Sequence, residues 1–299
     1  MNILLTGSSG LIGQALTPVL ASGGHRVTCL VRFKPRGGEP LVYWDPAGKE
    51  IDAPKLEGFD AVVHLAGEPI TGRWTAAKKR AIRDSRVSST RLLCQTLARL
   101  ASRPRVFVAA SASGYYGDRG DEVLREESEA GSSFLSQVCQ EWERATTPAA
   151  QSGIRVVNLR VGFVLSPAGG GLAKMLPAFR MGAGGRIASG KQYISWIGID
   201  DLVQIILFAA TTKSLNGPVN GVAPHPVTNL VFTKTLGRVL GRPAIFPMPA
   251  FAVRIAFGEM GKELLLASTR LEPAQLLSAG YQFRFPELEG ALRHLLGRN

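Results

Sequence analysis

Three glycines at a fixed interval, Thr6-Gly7-x-x-Gly10-x-x-Gly13, follow the apolar run Ile3-Leu4-Leu5. Such a run suits a strand covered on both faces. Gly7 permits a tight turn, Gly10 lets backbone approach a phosphate without an intervening Cβ, and Gly13 lets the next helix lie close to the strand. That helix would present unpartnered N–H groups and its positive dipole end, which together suit a pyrophosphate. The spacing predicts a dinucleotide held by Gly7, Ser9, Gly10, Leu11, Ile12 and Gly13. A second strand, Arg26 to Val31, leads to Arg32, with no Asp or Glu between Arg26 and Arg36. An acid there would accept from an adenosine ribose 2′-hydroxyl. Arginine can fork onto a 2′-phosphate instead, so the expected cofactor is NADP(H).

A second small-residue turn closes Ala61-Val62-Val63-His64-Leu65-Ala66-Gly67. At the carboxyl edge of a parallel sheet it would let a cofactor ribose pass close to backbone. Leu65, Ala66, Gly67 and Glu68 are therefore placed near a ribose, with Glu68 either touching a hydroxyl or simply solvated. His64 has no expected carboxylate beside it and reads as a packing or hydrogen-bonding residue. Cys29, Cys94 and Cys139 are far apart, and His25 and His225 lack ligand spacing, so no metal site is expected.

Elements able to position these residues follow from periodicity. Strands are expected at Asn2–Thr6, Arg26–Val31, Leu41–Trp44, Ala61–Leu65, Arg105–Ala110 and Arg155–Leu159. Helices are expected at Leu11–Ala21, Trp74–Ala101 with a break near Asp84, Ser133–Gln151 and Asp201–Thr211. The alternation predicts an α/β fold, a Rossmann-type doubly wound parallel sheet. After Gly169-Gly170-Gly171, glycines and prolines predict loops, and short helices near 228–240, 251–257, 261–267 and 286–296 predict a small, mainly helical C-terminal cap. The expected division is 1–165 for NADP binding, completed by 190–222, with 166–189 and 223–299 forming the cap and substrate region.

At 299 residues and 45% hydrophobic, the chain can bury a substantial core. Its formal charge is +12, but the densest basic cluster, Lys78-Lys79-Arg80 with Arg83 and Arg86, lacks interleaved aromatics and any nucleic-acid motif. It reads as a solvated helix face. No apolar run is long enough for a membrane span, and the chain starts on its first strand rather than on a signal segment. Isolated cysteines suit a reducing, cytoplasmic compartment. A small-molecule substrate is expected; its identity and the oligomeric state are not encoded in any motif.

The glycine turn with His64-Leu65-Ala66-Gly67 resembles the extended short-chain dehydrogenase/reductases. Val108-Ala109-Ala110-Ser111-Ala112-Ser113-Gly114-Tyr115-Tyr116-Gly117, Leu159 to Leu165 and Trp196 to Leu202 extend the likeness. More narrowly, the chain is similar to the atypical, epimerase-like members labelled sugar-nucleotide epimerases. The shared features are Trp44-Asp45-Pro46, Ser85-Arg86, Gly169-Gly170-Gly171, Asn220-Gly221-Val222-Ala223-Pro224 and Ala279-Gly280-Tyr281-Gln282-Phe283. The resemblance implies that Arg86 and Val164 also touch the cofactor, that Gly162 keeps space beneath the nicotinamide, and that an Asp near 200 caps its helix.

It also implies a Tyr-x-x-x-Lys pair, in which the lysine lowers the phenol's pKa and holds the nicotinamide ribose. None of Tyr43, Tyr115, Tyr116, Tyr193 or Tyr281 has a Lys four residues on. Aligned on Glu143, Leu135 and Cys139 fill the Tyr and Lys places, and Ala112 fills that of the catalytic hydroxyl. Ser111, Ser113, Tyr115 and Tyr116 are the remaining candidates for acid–base work. Two functions follow: an NADP(H)-dependent oxidoreductase or sugar-nucleotide epimerase-like enzyme with non-standard acid–base residues, or a non-catalytic NADP(H)-binding regulatory or partner-binding protein.

Overall fold

A computed structural model of the protein describes residues 1–36 and 38–298. Asn299, the last position of the expected cap, lies outside the described residues. The chain opens with β1 (Asn2–Thr6), α1 (Leu11–Ser22), β2 (Arg26–Val31), β3 (Leu41–Asp45), β4 (Glu50–Ile51) and β5 (Ala61–His64). It continues through α2 (Ala76–Ala98), β6 (Val106–Ala112), β7 (Val123–Leu124), α3 (Phe134–Arg144), α4 (Thr147–Gln151), β8 (Arg155–Val161) and β9 (Phe163–Leu165). Next come α5 (Gly170–Arg180), β10 (Tyr193–Ile194), β11 (Trp196–Gly198), α6 (Ile199–Thr211) and β12 (Gly217–Gly221). The last elements are β13 (Val227–Thr228), α7 (Asn229–Leu240), α8 (Ala250–Gly261), β14 (Arg270–Leu271), α9 (Ala274–Ser278) and α10 (Leu288–Leu295).

Eight strands form one sheet in the order β12-β8-β6-β5-β1-β2-β3-β4, parallel except for the β3–β4 edge pair. Successive residues of β1 point into different cores. Ile3 and Leu5 join one with Leu16, Leu20, Leu202 and Ile205, while Leu4 joins another with Leu93, Leu97 and Ala149. Helices α1 and α6 therefore cover one face, and α2 and α4 the other, as the continuous apolar strands require. Chain order reverses between β1 and β5. In their register Thr6 lies opposite His64, so the Gly7 and Leu65 turns leave the sheet side by side at its carboxyl edge. A crevice at such a switch point is where open α/β sheets bind ligands.

Some expected boundaries move. Helix α2 runs unbroken through Asp84. The stretch from Ser133 divides into α3 and α4 near Ala145 and Thr146, because Pro148 opens the second helix. The glycine triplet at 169–171 starts helix α5 instead of a long loop. Gly170 takes φ +72°, after which Leu172, Leu176 and Phe179 bury one helical face. Their i, i+4, i+7 spacing carries that helix, whereas glycine content alone suggests a loop. Cys94 and Cys139 are buried free thiols and Cys29 is half-buried.

Asp201 does not cap α6. The N-cap is Gly198, without a side-chain bond. Buried Asp201 instead accepts hydrogen bonds from the backbone N–H groups of Arg284 (2.8 Å) and Phe285 (3.0 Å) and from the Tyr281 hydroxyl (3.2 Å). It thereby ties the C-terminal tail to the first turn of α6. The C-terminal residues Phe232, Leu236, Leu276 and Leu292 share a core with Ile3, Leu5 and Leu159.

Candidate functional site

The β1–α1 turn is as close as its glycines allow. Gly7 takes φ +72°, and a Cβ there would lie 2.7 Å from the Leu65 carbonyl carbon. A Cβ on Gly13 would collide with the Gly7 carbonyl oxygen and lie 2.7 Å from Ser8 Cα. Gly10 is the N-cap of α1 and supplies no side-chain bond, so the first N–H groups, at Leu11, Ile12 and Gly13, have no cap from it. Ser9 and Gly10 are exposed, while Leu11 and Ile12 are half-buried. Leu11 abuts the start of α5, since a Cβ on Gly169 would be 3.2 Å from Leu11 Cδ1. A cradle that any Cβ would fill, ending in an uncapped helix, fits a pyrophosphate.

Thr6 locks the two turns together. Its hydroxyl oxygen accepts from the N–H groups of Leu65 (3.1 Å) and Ala66 (3.2 Å) and pairs with His64 Nδ1 (2.7 Å). With two backbone donors on the oxygen, the hydroxyl proton goes to Nδ1, which puts the imidazole proton on Nε2, 2.9 Å from Thr90 Oγ1. Trp142 Nε1 donates to the same Thr90 oxygen at 2.9 Å. Burial pushes the His64 pKa down to about 4, so the ring is neutral near pH 7. His64 is thus a buried hydrogen-bonding residue, as its sequence context suggests.

Around the ribose turn, Leu65, Ala66 and Glu68 are half-buried and Gly67 is exposed. The Glu68 carboxylate pairs with Lys78 Nζ at 2.7 Å, and its backbone N–H donates to Ser85 Oγ. Arg86 lies beneath the turn, since a Cβ on Gly67 would be 3.3 Å from its Cζ. Arg32, exposed just after β2, makes no hydrogen bond or ion pair among the described residues. Val164 lies on β9 opposite Ile197 of β11. Gly162 is small for a local reason: a Cβ there would strike the Ser195 carbonyl oxygen and lie 2.7 Å from Val222 Cγ1. Of the basic helix cluster, Lys79 pairs with Glu259 and Arg83 with Glu141, both at 2.7 Å. Those charges meet partners within the chain.

At the end of β6 the four acid–base candidates separate. Ser111 is buried and donates to Glu143 Oε1 at 2.7 Å. Tyr116 is fully buried; its hydroxyl donates to Asn220 Oδ1 and accepts from Arg160 Nη1, both at 2.8 Å. Burial pushes the Tyr116 phenol up to about 12, away from proton exchange near neutrality. Ser113 and Tyr115 are half-buried in the following turn, and the Tyr115 ring stacks on Arg160 with Cζ 3.5 Å from its centroid. On α3, Leu135 and Cys139 are buried, and burial raises the Cys139 thiol to about 12. A Cβ on Gly114 would lie 3.2 Å from Leu135 Cβ, so apolar atoms face the turn where a phenol is expected.

Sequence reading missed the buried network behind this edge. Arg160 forks onto Glu143 through Nε and Nη2, each at 2.8 Å, and its Nη1 also reaches the Glu126 carbonyl at 2.9 Å. Glu126 Oε1 accepts from the backbone N–H groups of Asn220 (3.0 Å) and Gln275 (3.2 Å). The signal was Arg160 within the run Val156 to Val161, where only Asn158 is also polar; burial of β8 on both faces forces that arginine to find partners.

Comparison with known proteins extends these observations. The profile of the NAD dependent epimerase/dehydratase family matches residues 3–220, and that of a domain of unknown function, DUF1731, matches 248–295. The Mycobacterium bovis epimerase family protein Mb2239 is 45% identical over 297 residues, covering 99% of this chain and 98% of its own. The crystal structure of human epimerase family protein SDR39U1 (isoform 2) with NADPH superposes with a TM-score of 0.91 at 36% identity, over 99% of both chains. A nucleoside-diphosphate sugar epimerase from Corynebacterium glutamicum superposes at 0.81 with 39% identity, over 99% of this chain and 58% of that one.

Proposed function

The chain belongs to the NAD dependent epimerase/dehydratase family, and from that premise we propose that it is an NADP(H)-dependent oxidoreductase or epimerase-like enzyme working without a Tyr-x-x-x-Lys pair. The observation that carries the reading is the paired turn: Gly7 and Gly13 leave no room for a Cβ, and Thr6 clamps Leu65 and Ala66 beside them. The similar human protein crystallised with NADPH supports the choice of nucleotide. Gly7, Ser9, Gly10, Leu11, Ile12 and Gly13 would hold the pyrophosphate. Arg32 would meet the 2′-phosphate, and Leu65, Ala66, Gly67, Glu68, Arg86 and Val164 would flank the riboses and the nicotinamide. When bound, the cofactor supplies hydride transfer; the protein supplies orientation and a proton source.

Ser113 and Tyr115 are the hydroxyls proposed for that proton, because Ser111 and Tyr116 are committed to buried partners. The substrate would lie between the carboxyl edge of the sheet and the C-terminal helices. The test follows NADPH oxidation at 340 nm against aldehydes, ketones and keto-sugar nucleotides, and NADP+ reduction against the matching alcohols. Turnover with one of these, diminished in Tyr115→Phe or Ser113→Ala while NADPH affinity is kept, supports the enzyme. Tight NADPH binding with no hydride loss toward any carbonyl favours the second reading, a protein that holds NADP(H) without turnover. The specific observation for that reading is the apolar Leu135 and Cys139 pair on α3.

A further inference from the structure

One side of the C-terminal region keeps large apolar side chains in solvent. Residues 243–248 run alongside 184–188: the Phe246 N–H donates to the Gly184 carbonyl (3.1 Å), the Met248 N–H to that of Arg186 (2.9 Å) and the Ala188 N–H to that of Met248 (2.8 Å). A Cβ on Gly182 would lie 3.4 Å from Pro243 Cγ, so Met181 borders the same pair of segments. Pro249 then leads directly into α8 as its N-cap. Ile255 is 82% exposed, Met181 77% and Ile245 73%, and Phe246, Met248 and Phe251 are exposed as well. Ile245 and Phe246 are consecutive and both in solvent, so the segment stands out as a ridge instead of lining a groove.

Helix α8 has a buried side of its own. Val253 is fully buried, and Phe257 packs with Trp74, Ile82, Leu135 and Met260. Phe251 and Ile255, one turn apart, lie on the opposite side. Single exposed apolar residues are ordinary, but six joined by one backbone pairing and one helix mark an interaction surface. Charge narrows what that surface meets. No Asp or Glu occurs between Glu143 and Asp200 or between Asp201 and Glu259. Arg180, Arg242 and Arg254 border the ridge and are exposed, and their side chains make no hydrogen bond or ion pair among the described residues. An isologous contact between two copies would set these cations against one another. An acidic helix would need a groove to lie in. Protruding apolar groups among unpaired arginines fit the headgroup layer of an anionic bilayer, where acyl chains take the former and phosphates the latter.

We propose that the ridge of Met181, Ile245, Phe246, Met248, Phe251 and Ile255 docks the protein on an anionic lipid surface, with Arg180, Arg242 and Arg254 against the headgroup phosphates. The inference is independent of the cofactor. It also gives the ridge a relation to the candidate site, because Glu259 and Met260 at the far end of α8 reach Lys79 and the Gly72 N–H, just beyond the ribose turn.

The experiment sediments the full chain with vesicles of phosphatidylcholine alone and with about one-third phosphatidylserine added. Wild type binds the mixed vesicles at least about tenfold more tightly than the neutral ones. Phe246→Ser/Phe251→Ser/Ile255→Ser, which keeps every charge, and Arg180→Gln/Arg242→Gln/Arg254→Gln each lose at least about tenfold on the mixed vesicles. Arg26→Gln/Arg91→Gln/Arg99→Gln removes exposed arginines of β2 and α2, makes the same change in net charge, and stays within about twofold of wild type. Circular dichroism and thermal melting report that each variant is folded. A second measurement needs one substitution at the most exposed position: in Ile255→Trp the new indole's emission shifts to the blue on mixed vesicles, against a background of four buried native tryptophans. Wild type that does not bind mixed vesicles, an apolar triple variant that binds like wild type, or equal loss in the two arginine triple variants overturns the proposal. So does a wild-type dimer in sedimentation velocity that the apolar triple variant disperses, because the ridge then faces another copy.

Discussion

The β1–α1 turn and the β6–α3 edge lie two strands apart on one sheet, yet they are specified in different currencies. The turn depends on backbone: Gly7 at φ +72°, Gly13 against the Gly7 carbonyl, and N–H groups at an uncapped helix start. The edge depends on side chains, and there the scaffold persists without the Tyr-x-x-x-Lys pair. Helix α3 is formed, with Ser133 capping Ser136 N–H and Glu263 accepting from the N–H groups of Phe134 and Leu135. The positions it presents, however, are Leu135 and Cys139. Nucleotide binding built on backbone survives many substitutions, whereas the Tyr-x-x-x-Lys pair is lost with two. An architecture can therefore keep its cofactor site after its standard proton donor has gone.

The contrast predicts where mutations act. The largest effect falls on the network behind the edge. Arg160→Met leaves Glu143 without its cationic partner, with Ser111 still donating to it, and removes the donor to the Tyr116 hydroxyl; it lowers unfolding stability by about 3–5 kcal/mol, the cost of breaking a buried pair. Urea titration should show that loss while NADPH affinity of the folded fraction holds. A matching fall in affinity would mean that the edge and the turn are not separable.

Next comes His64, which joins the turn to α2 and α3 through Thr6 and Thr90. Its folded pKa, about 4, lies below the ordinary histidine value of about 6.5, so the unfolded chain binds more protons between these values. Its contribution is complete above about pH 6.5 and declines as pH falls through about 4, a total near 3 kcal/mol. The stability gap between wild type and His64→Asn should narrow by that amount between pH 7 and pH 4. A pH-independent gap would show that His64 titrates normally.

A smaller effect separates binding from folding. Gly10 has φ −80°, which any residue adopts, and a Cβ there would meet only the Gly7 oxygen at 3.3 Å. Gly10→Ala should therefore change stability by less than about 1 kcal/mol yet weaken NADPH about tenfold, because the methyl stands where the pyrophosphate approaches. If affinity is untouched, the phosphate path avoids Gly10.

How far the sequence foretold this follows the same division. Ile3-Leu4-Leu5 with three spaced glycines led to the switch point directly, since local backbone needs are written in local residue types. The absence of a Tyr-x-x-x-Lys pair was equally readable. Helix α5 was hidden because Gly169-Gly170-Gly171 outweighed the spacing of Leu172, Leu176 and Phe179. An Asp near 200 was expected to cap its helix, but the N-cap is Gly198, and the acceptors of Asp201 serve the tail at 284–285, 83 or more positions away. The Glu143–Arg160–Tyr116–Asn220 network joins residues from four separate segments. No local period marks them; only the folded sheet brings them together.

The most direct test of the account is fluorescence titration with NADPH and NADH, for wild type and for Arg32→Ala. Arg32 is exposed at the end of β2 and has no partner among the described residues, so its removal should leave the fold intact. The account predicts that wild type binds NADPH at least about tenfold more tightly than NADH, as a charge-assisted fork on the 2′-phosphate requires, and that Arg32→Ala binds the two alike. Equal affinity for both nucleotides in wild type, or a preference that persists in Arg32→Ala, would contradict it.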